Sequence, residues 1–442
     1  MTSASPALST PGATDSRQPA GLYLLFFTEM WERTSFYGMR ALLTLYMTHA
    51  IVRGGFGWSE QASLRIYGLY AFMVYFTPLA GGYLADRVFG QRRAVMFGGG
   101  LMVAGHFLMA VPGVVAFFAA LGLIACGNGL FKPNISTMVG GLYHEDDPRR
   151  DAGFTLFYMG INVGSFLAPL VCGTLGEKLG FDWGFAAAGF GMLLGQIIYM
   201  SLGQRLLGDI GKLNKFVKST VVVKTPLTKE ESDRITVIII MAVFTIFFWA
   251  AFEQAGGLMN IYADQKVDRM VLGFEVPTTW FQSLNPAFVV LLSPLFAAIW
   301  LALGRRGKEP STPIKFALAL LFVASGFVLM VLAAQQSNGG GKANMWFLVG
   351  AYFFHSMGEL CLSPVGLSMV TKLAPMRMAS LMMGVWFFSN AISDGLSGLI
   401  GSFSATLGEL QVFGGLVALT TTAAVALFFA ARPLVRRMHG AE

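Results

Sequence analysis

The sequence predicts an all-α membrane protein with twelve transmembrane helices, and three properties of the chain agree on it. Of the 442 residues, 55% are hydrophobic and 12% are charged, whereas an average soluble domain has about 25% charged residues. The mean hydropathy is +0.61. Apolar stretches long enough to cross a hydrocarbon core of about 30 Å recur along the whole chain. The predicted spans are residues 22–48, 62–84, 94–111, 114–141, 152–175, 183–203, 235–259, 279–302, 314–334, 343–373, 379–403 and 412–431.

The distribution of basic residues predicts the orientation of these spans. Basic residues within three positions of a span end are counted here with the adjacent loop. With the N-terminus inside the cell, six of the 31 Lys and Arg residues then fall outside, three lie deeper within spans and 22 fall inside. Cytoplasmic loops carry such an excess of basic residues, so both termini are expected in the cytoplasm. The net charge of +7 is then a consequence of topology, and no nucleic-acid partner is expected.

The chain divides into two halves of six spans each. Residues 1–21 are rich in Ser, Pro, Thr and Ala without an apolar core, which predicts a disordered tail rather than a cleaved signal peptide. The predicted units are an N-terminal bundle (22–203), a basic cytoplasmic linker (204–234), a C-terminal bundle (235–431) and a cytoplasmic tail (432–442). Residues 127–139 align weakly with residues 358–370, the fourth span of each half, as in transporters built from parallel repeats.

The first span carries a stripe of ionisable and aromatic side chains. At about 100° per residue, the stripe covers an arc of about 140° on a helix. Each charge costs about 2.5–3.5 kcal/mol at the centre of a bilayer, so the stripe is expected to face a polar cavity. It comprises Glu29, Glu32, Arg33, Phe36, Tyr37 and Arg40.

Ionisable residues occur in other spans too, and their charges do not balance. Together with Arg33 and Arg40, Lys132 makes three cations deep within spans. Together with Glu29 and Glu32, the residues Glu253, Glu359 and Asp394 make five carboxylates. Burial disfavours the ionised form of a carboxyl group, so some of these groups are expected to exchange protons near neutral pH. Cations in the first half and Glu359 in the second suit a small zwitterion, either an amino acid or a short peptide. The spacing of the residues does not choose between the two, and it predicts no metal site.

Two sets of sequence motifs resemble motifs of known families. Residues 82–93, GYLADRVFGQRR, resemble the signature loop of the major facilitator superfamily between its second and third helices. Residues 29–38 (EMWERTSFYG), 157–165 (FYMGINVGS), 248–256 (FWAAFEQAG) and 358–367 (GELCLSPVGL) resemble four motifs of the proton-dependent oligopeptide transporter family. The chain is most similar to the bacterial di- and tripeptide symporters of that family.

The second resemblance implies a role for each site residue. Glu29, Glu32 and Glu253 would take part in proton coupling, and Arg40 would form a salt bridge with Glu253 that closes the outer side. Arg33 and Lys132 would bind the peptide carboxylate, and Glu359 would bind the peptide amino group. The other residues implied to contact the substrate are Tyr37, Tyr75, Tyr158, Asn162, Trp249, Asn285, Ser363 and Trp386.

The resemblance also implies a cellular setting. It places the chain in a bacterial inner membrane as a multi-pass protein that is functional as a monomer, driven by a proton gradient and without a cofactor. Phe36 stands where the family usually has a Tyr, so a hydroxyl contact is absent. The linker of about thirty residues is too short for the two extra helices of many bacterial members. Asp394 matches no motif, and its role stays open.

Two other functions are alternatives to peptide transport. The same scaffold could carry another small zwitterion or anion, such as an amino acid or nitrate, although the intact Glu29, Glu32 and Arg33 argue against nitrate. A membrane enzyme or receptor would need a nucleophile, a metal cluster or a large soluble domain, and the sequence shows none of these. We therefore expect a transporter rather than an enzyme.

Overall fold

The computed structural model describes residues 17–144, 147, 149–213, 226–375 and 378–441. The predicted tail as far as residue 16, residues 214–225 of the predicted linker and Glu442 lie outside these ranges. The described chain is built of helices, with four two-residue strands in its loops.

The first half of the chain contains six long helical segments. Two π-helical turns, Ala85–Phe89 and Pro169–Gly173, and a 3₁₀ turn, Ile51–Arg53, join or extend them. The helices are α1 (Ala20–Thr48), α2 (Glu60–Leu84), α3 (Gln91–Met109), α4 (Val114–Gly140), α5 (Arg150–Ala168), α6 (Thr174–Lys178) and α7 (Phe181–Leu207).

The second half has the same kind of architecture. Its 3₁₀ turns are Glu253–Ala255 and Thr278–Ser283. The helices are α8 (Lys229–Phe252), α9 (Leu258–Lys266), α10 (Leu284–Arg305), α11 (Thr312–Asn338), α12 (Met345–Leu373), α13 (Ala379–Ser402), α14 (Ser404–Leu407) and α15 (Glu409–Arg437). The strands are β1 (Val267–Asp268), β2 (Met270–Val271), β3 (Phe274–Glu275) and β4 (Ala343–Asn344), with β1 parallel to β4 and β2 antiparallel to β3.

Eight of these helical segments are long and apolar enough to cross a membrane. The chain is therefore a multi-pass membrane protein. Helices α1, α2, α3 and α13 are of similar length, from 19 to 29 residues, but more polar, and α1 contains the charged stripe. The eight segments are Val114–Gly140, Arg150–Lys178, Phe181–Leu207, Lys229–Lys266, Thr278–Arg305, Thr312–Asn338, Met345–Leu373 and Glu409–Arg437.

Local sequence explains where several helices begin. Thr228 and Glu231 form a capping box, in which each side chain bonds the backbone N–H of the other residue, so α8 starts at Lys229. Ser59 and Asn344 accept backbone N–H bonds at the starts of α2 and α12. Because α7 runs to Leu207 and α8 starts at Lys229, helix extends into both ends of the predicted linker.

The helices bury three apolar clusters. One is formed by helices of the second half and also includes Leu64 of α2. The other two lie within the first half, one around Tyr46 and Phe117 and one around Phe131 and Met192. The two halves therefore have largely separate apolar cores.

The two halves are joined tightly at one end of the helices, which we call the closed end and define by His49, Glu177 and Asp264. His49 of α1 bonds Asp264 of α9 at 2.8 Å. Glu177 of α6 accepts bonds from the backbone N–H groups of Thr278 and Thr279 at 2.8 and 2.9 Å. Polar contacts thus bridge the halves at this end.

Glycine brings α2 and α13 into backbone contact near the closed end. A Cβ atom placed at Gly68 would lie 2.7 Å from the Cα of Gly398, closer than real Cβ contacts permit. We expect Gly398→Leu to separate the halves at the closed end, since overpacking of this kind costs about 1–3 kcal/mol. Alkylation of a Thr44→Cys variant by a membrane-impermeant maleimide measures the separation, because Thr44 is fully buried at this end.

The control for this experiment is a glycine of α15. A Cβ at Gly414 would meet no atom within 4 Å, so Gly414→Leu should leave the alkylation of Thr44→Cys unchanged. All variants would lack the natural Cys126, Cys172 and Cys361. Equal alkylation in the Gly398→Leu and Gly414→Leu proteins would show that the glycine contact does not hold the end closed.

Candidate functional site

The charged stripe of α1 forms one buried cluster. Glu29, Glu32 and Arg33 are 2%, 0% and 3% exposed. The Arg33 Nε lies 3.1 Å from Glu29 Oε1 and also donates to Glu32 Oε2. The i, i+3 and i+4 spacing of these residues places them side by side on the helix. One arginine is thus shared by two carboxylates.

Helix α4 contributes two polar groups beside this cluster. The Asn128 amide donates to Glu32 Oε1 at 3.3 Å. One turn further along α4, the Lys132 ammonium lies 4.1 Å from the centre of the Tyr75 ring, a cation–π contact. Within the described residues Lys132 has no carboxylate at ion-pair distance, so its charge is available to another anion.

A second ion pair crosses between the halves, as the sequence resemblance predicts. Arg40 of α1 donates through Nη2 to Glu253 Oε2, which lies directly after α8. The Nε of Arg40 donates to the hydroxyl of Tyr67 at 2.7 Å. The Tyr37 ring lies between Arg33 and Arg40, 6.0 and 5.8 Å from their guanidinium carbons. Arg40 therefore links α1, α2 and the end of α8.

Glu359 of α12 provides the acidic group of the second half. Asn285 of α10 donates to Glu359 Oε2 at 2.8 Å and to Ser356 Oγ at 3.1 Å. Pro364 lies five residues beyond Glu359 within α12. The carboxylate has an amide partner but no cation at ion-pair distance among the described residues. It can accept an ammonium group.

A cavity of about 790 Å³ reaches this carboxylate. Tyr158, Glu359 and Ser363 lie in its wall, and it extends past Lys315 towards Glu309 and Lys372 at the end opposite the closed end. Pockets for small ligands have volumes of about 300–1,000 Å³. The lining does not include Arg33 or Lys132, so this cavity is acidic at its inner end, and the predicted basic wall lies outside its lining.

The tyrosines connect the charged groups of the two halves. Tyr75 lies within electrostatic range of Arg33 and Arg40 from the first half, and of Glu359 and Asp394 from the second. Tyr158 lies within range of Tyr37 and Glu359. Tyrosines of the first half therefore lie within electrostatic range of carboxyl groups of the second half.

The side chains of three residues that are predicted to contact the substrate contact other residues of the protein in this structure. The Asn162 amide donates to the carbonyl of Tyr158 at 3.0 Å. Trp386 is 4% exposed and packs on Phe316, with ring centres 6.1 Å apart. Trp249 stacks edge to face on Phe248 and Phe252. A role in substrate contact stays a prediction for these three.

Sequence reasoning missed two partners of the ion pairs. Asn128 stands four residues before Lys132 and thus on the same face of α4, and this spacing was a usable signal. Tyr67 lies on a different helix from Arg40, and no local pattern points to their contact. Among the described residues, no group of three His, Cys, Asp or Glu side chains could hold a metal ion.

Comparison with known proteins gives consistent similarities. The sequence model of the POT family matches residues 92–227 and 209–413. The chain is 38% identical to the peptide transporter YePEPT of Yersinia enterocolitica, covering 89% of each chain. It is 33% identical to a di-/tripeptide transporter of Lactococcus lactis, covering 95% of this chain and 97% of the relative.

A solved structure shows the same architecture. The crystal structure of a mutant of a peptide transporter POT in complex with alafosfalin superimposes with a TM-score of 0.90. The two sequences are 39% identical, and the match covers 97% of this chain and 98% of the other. Nearly the whole chain therefore shares one fold with a solved peptide transporter.

Proposed function

The chain belongs to the POT family, and from this membership and the geometry of the central site we propose that it imports di- and tripeptides by proton-coupled symport. The observation that carries the proposal is a cation in the first half, Lys132, and a carboxylate in the second half, Glu359, neither of which has an ion-pair partner among the described residues. Buried charges at membrane depth are functional by default. A site with both signs of charge suits a zwitterion with separated termini.

The proposed substrate contacts follow from the groups that lack a charged partner. Lys132 receives the peptide carboxylate, with Arg33 joining it once a carboxylate on α1 is protonated. Glu359 receives the peptide amino group beside Asn285. An extended peptide spans about 3.3–3.6 Å per residue, so two or three residues match a site of limited length.

The proposed coupling mechanism is an exchange of ion-pair partners. Arg33 is held by Glu29 and Glu32, and Arg40 is held by Glu253. Protonating these carboxyl groups removes the negative charge that holds each arginine. Arg33 then turns to the substrate carboxylate, and Arg40 releases the closed end. Binding of the proton and binding of the peptide thus both favour opening of the closed end.

The proposed architecture is the twelve-helix fold of the major facilitator superfamily in a bacterial inner membrane. The four more polar long helices also cross the membrane, with bundles at residues 22–203 and 235–431 and both termini in the cytoplasm. The closed end then faces outwards and the cavity opens towards the cytoplasm. Movement of one bundle against the other provides alternating access to a midplane site, and the monomer suffices for it.

Uptake by the purified protein in liposomes tests this function. With the outside more acidic, labelled di-alanine should accumulate inside above its outer concentration, and a protonophore should abolish the accumulation. Unlabelled di-alanine and tri-alanine should compete, whereas alanine should not. Uptake that is independent of the proton gradient would contradict proton-coupled symport.

The same competition panel tests the other small zwitterions and anions. Competition by alanine with no effect of di-alanine or tri-alanine would indicate an amino acid carrier on this scaffold. Competition by nitrate alone would indicate an anion carrier. Either result would overturn the assignment to peptides and leave the transporter assignment intact.

A further inference from the structure

Asp394 of α13 has a buried carboxyl group without a direct partner among the described residues. The residue is 4% exposed. Within the described part of the chain its carboxyl group accepts no hydrogen bond and forms no ion pair. A buried ionised carboxylate without a partner is costly, so this group is held in its neutral form or waits for a partner. The proposed function gives it no role.

Cations and tyrosines of the first half lie within electrostatic range of Asp394. Arg40 of α1 and Lys132 of α4 attract it electrostatically. Tyr67 and Tyr75 of α2 also lie within electrostatic range of its carboxyl group. Gly398 of α13 packs directly on Gly68 of α2. Asp394 lies four residues before Gly398 and therefore on the same face of α13, which is the face at the contact surface between the halves.

Groups of the second half approach α13 next to the cross-half ion pair. Gln254 donates from its side chain to the carbonyl of Ser397, less than one turn beyond Asp394 on α13, at 2.9 Å. Glu253, the partner of Arg40, directly precedes Gln254. Glu359, the acidic group of α12, is bonded to Asn285. The ion pair of Glu253 with Arg40 therefore lies beside the part of α13 that carries Asp394.

Arg40 has donors to spare for a second carboxylate. A guanidinium group carries five N–H donors. The contacts of the structure use the Nε–H for Tyr67 and an Nη2–H for Glu253. An arginine between two acids can thus pair with either or both of them, depending on which acid holds a proton.

We propose that Asp394 is a second proton-binding residue of the closed end and that it shares Arg40 with Glu253. The proposal deepens, and rests on, the proposed proton coupling. In the state described here Glu253 is ionised and holds Arg40, while Asp394 carries a proton. When the proton leaves the Asp394 carboxyl group and binds the Glu253 carboxylate, Asp394 becomes ionised and takes over Arg40. A second proton, bound by Asp394 from the outside, releases Arg40 from both acids and opens the closed end.

Four proteins in liposomes test the proposal, namely wild type, Asp394→Asn, Asp394→Glu and Ser393→Ala. Ser393 is the control because it is fully buried next to Asp394 and, in the described chain, its hydroxyl donates within its own helix, to the carbonyl of Ser389. Each protein is assayed for di-alanine accumulation under a proton gradient, and for counterflow exchange of di-alanine without a gradient. Counterflow requires the loaded carrier to alternate but requires no net movement of protons.

An imposed gradient of about one pH unit supports about tenfold accumulation for one coupled proton. We expect Asp394→Asn to lose this accumulation and its dependence on outside pH while counterflow continues. Asp394→Glu, which keeps an acid, and Ser393→Ala should both retain accumulation.

Three outcomes would overturn the role of Asp394. The first is wild-type accumulation in Asp394→Asn. The second is an equal loss in Asp394→Glu, and the third is an equal loss in Ser393→Ala, since both would indicate a packing effect. A wild-type protein that exchanges di-alanine but never accumulates it would instead refute proton coupling itself. That result separates failure of the proposed function from failure of this inference.

Discussion

Lys132→Ala is expected to abolish proton-driven uptake of di-alanine. Lys132 is the cation of the central cluster without a carboxylate at ion-pair distance in the described chain, and its ammonium rests on the Tyr75 ring. A hydrogen bond to a charged group contributes about 1.5–3 kcal/mol, so loss of the substrate carboxylate contact weakens binding by about one to two orders of magnitude. Uptake into proteoliposomes and the concentration of di-alanine that half-saturates counterflow measure the two effects.

The control for this variant removes a lysine far from the site. Lys212 pairs with Asp209 at 2.8 Å on the surface after α7, and such an exposed pair contributes little. Lys212→Ala should therefore transport at the wild-type rate. Undiminished accumulation in Lys132→Ala would remove this residue from the binding site.

Glu32→Gln is expected to stop gradient-driven accumulation while counterflow exchange persists. The amide has nearly the shape of the carboxylate but cannot be ionised, so the charge that holds Arg33 no longer depends on a proton at this position. Arg33 keeps its 3.1 Å contact with Glu29, and the buried cluster therefore retains one ion pair and the fold is preserved. Accumulation and counterflow, assayed on the same preparation, separate the loss of coupling from misfolding.

Glu60→Gln provides the matched control, because Glu60 lies in the first turn of α2 and away from the cluster. Its accumulation should equal that of the wild type. If Glu32→Gln accumulated di-alanine as well as this control did, Glu32 would have no part in proton coupling. Loss of counterflow along with accumulation would assign Glu32 to substrate binding or structure instead.

The helices and the α1 cluster could be predicted from sequence because the information for them is local. Apolar length locates the long helices, and the spacing of Glu29, Glu32 and Arg33 determines that they meet on one face. The break between α3 and α4 follows from Pro112 and Gly113, and Gly113 adopts a φ of 127° that suits glycine.

Contacts between distant helices could not be read from the residues alone. The pair between Arg40 and Glu253 was implied by the family resemblance, whereas the Tyr67 hydroxyl on Arg40 depends on how α1 and α2 pack. Trp386 shows the same limit, because its packing on Phe316 depends on how α13 and α11 meet and no local pattern predicts it. The helix ends also differ from the prediction at residues 204–207 and 229–234, where polar side chains lowered the hydropathy without ending the helix.

The central claim is that a peptide and a proton cross the membrane together through the charged cluster between the halves. The most direct test adds di-alanine outside proteoliposomes that contain a pH-sensitive dye, with no gradient imposed. The account predicts that the interior acidifies as the peptide enters in the wild type and stays constant in Lys132→Ala. Entry of di-alanine into wild-type liposomes without acidification would contradict it.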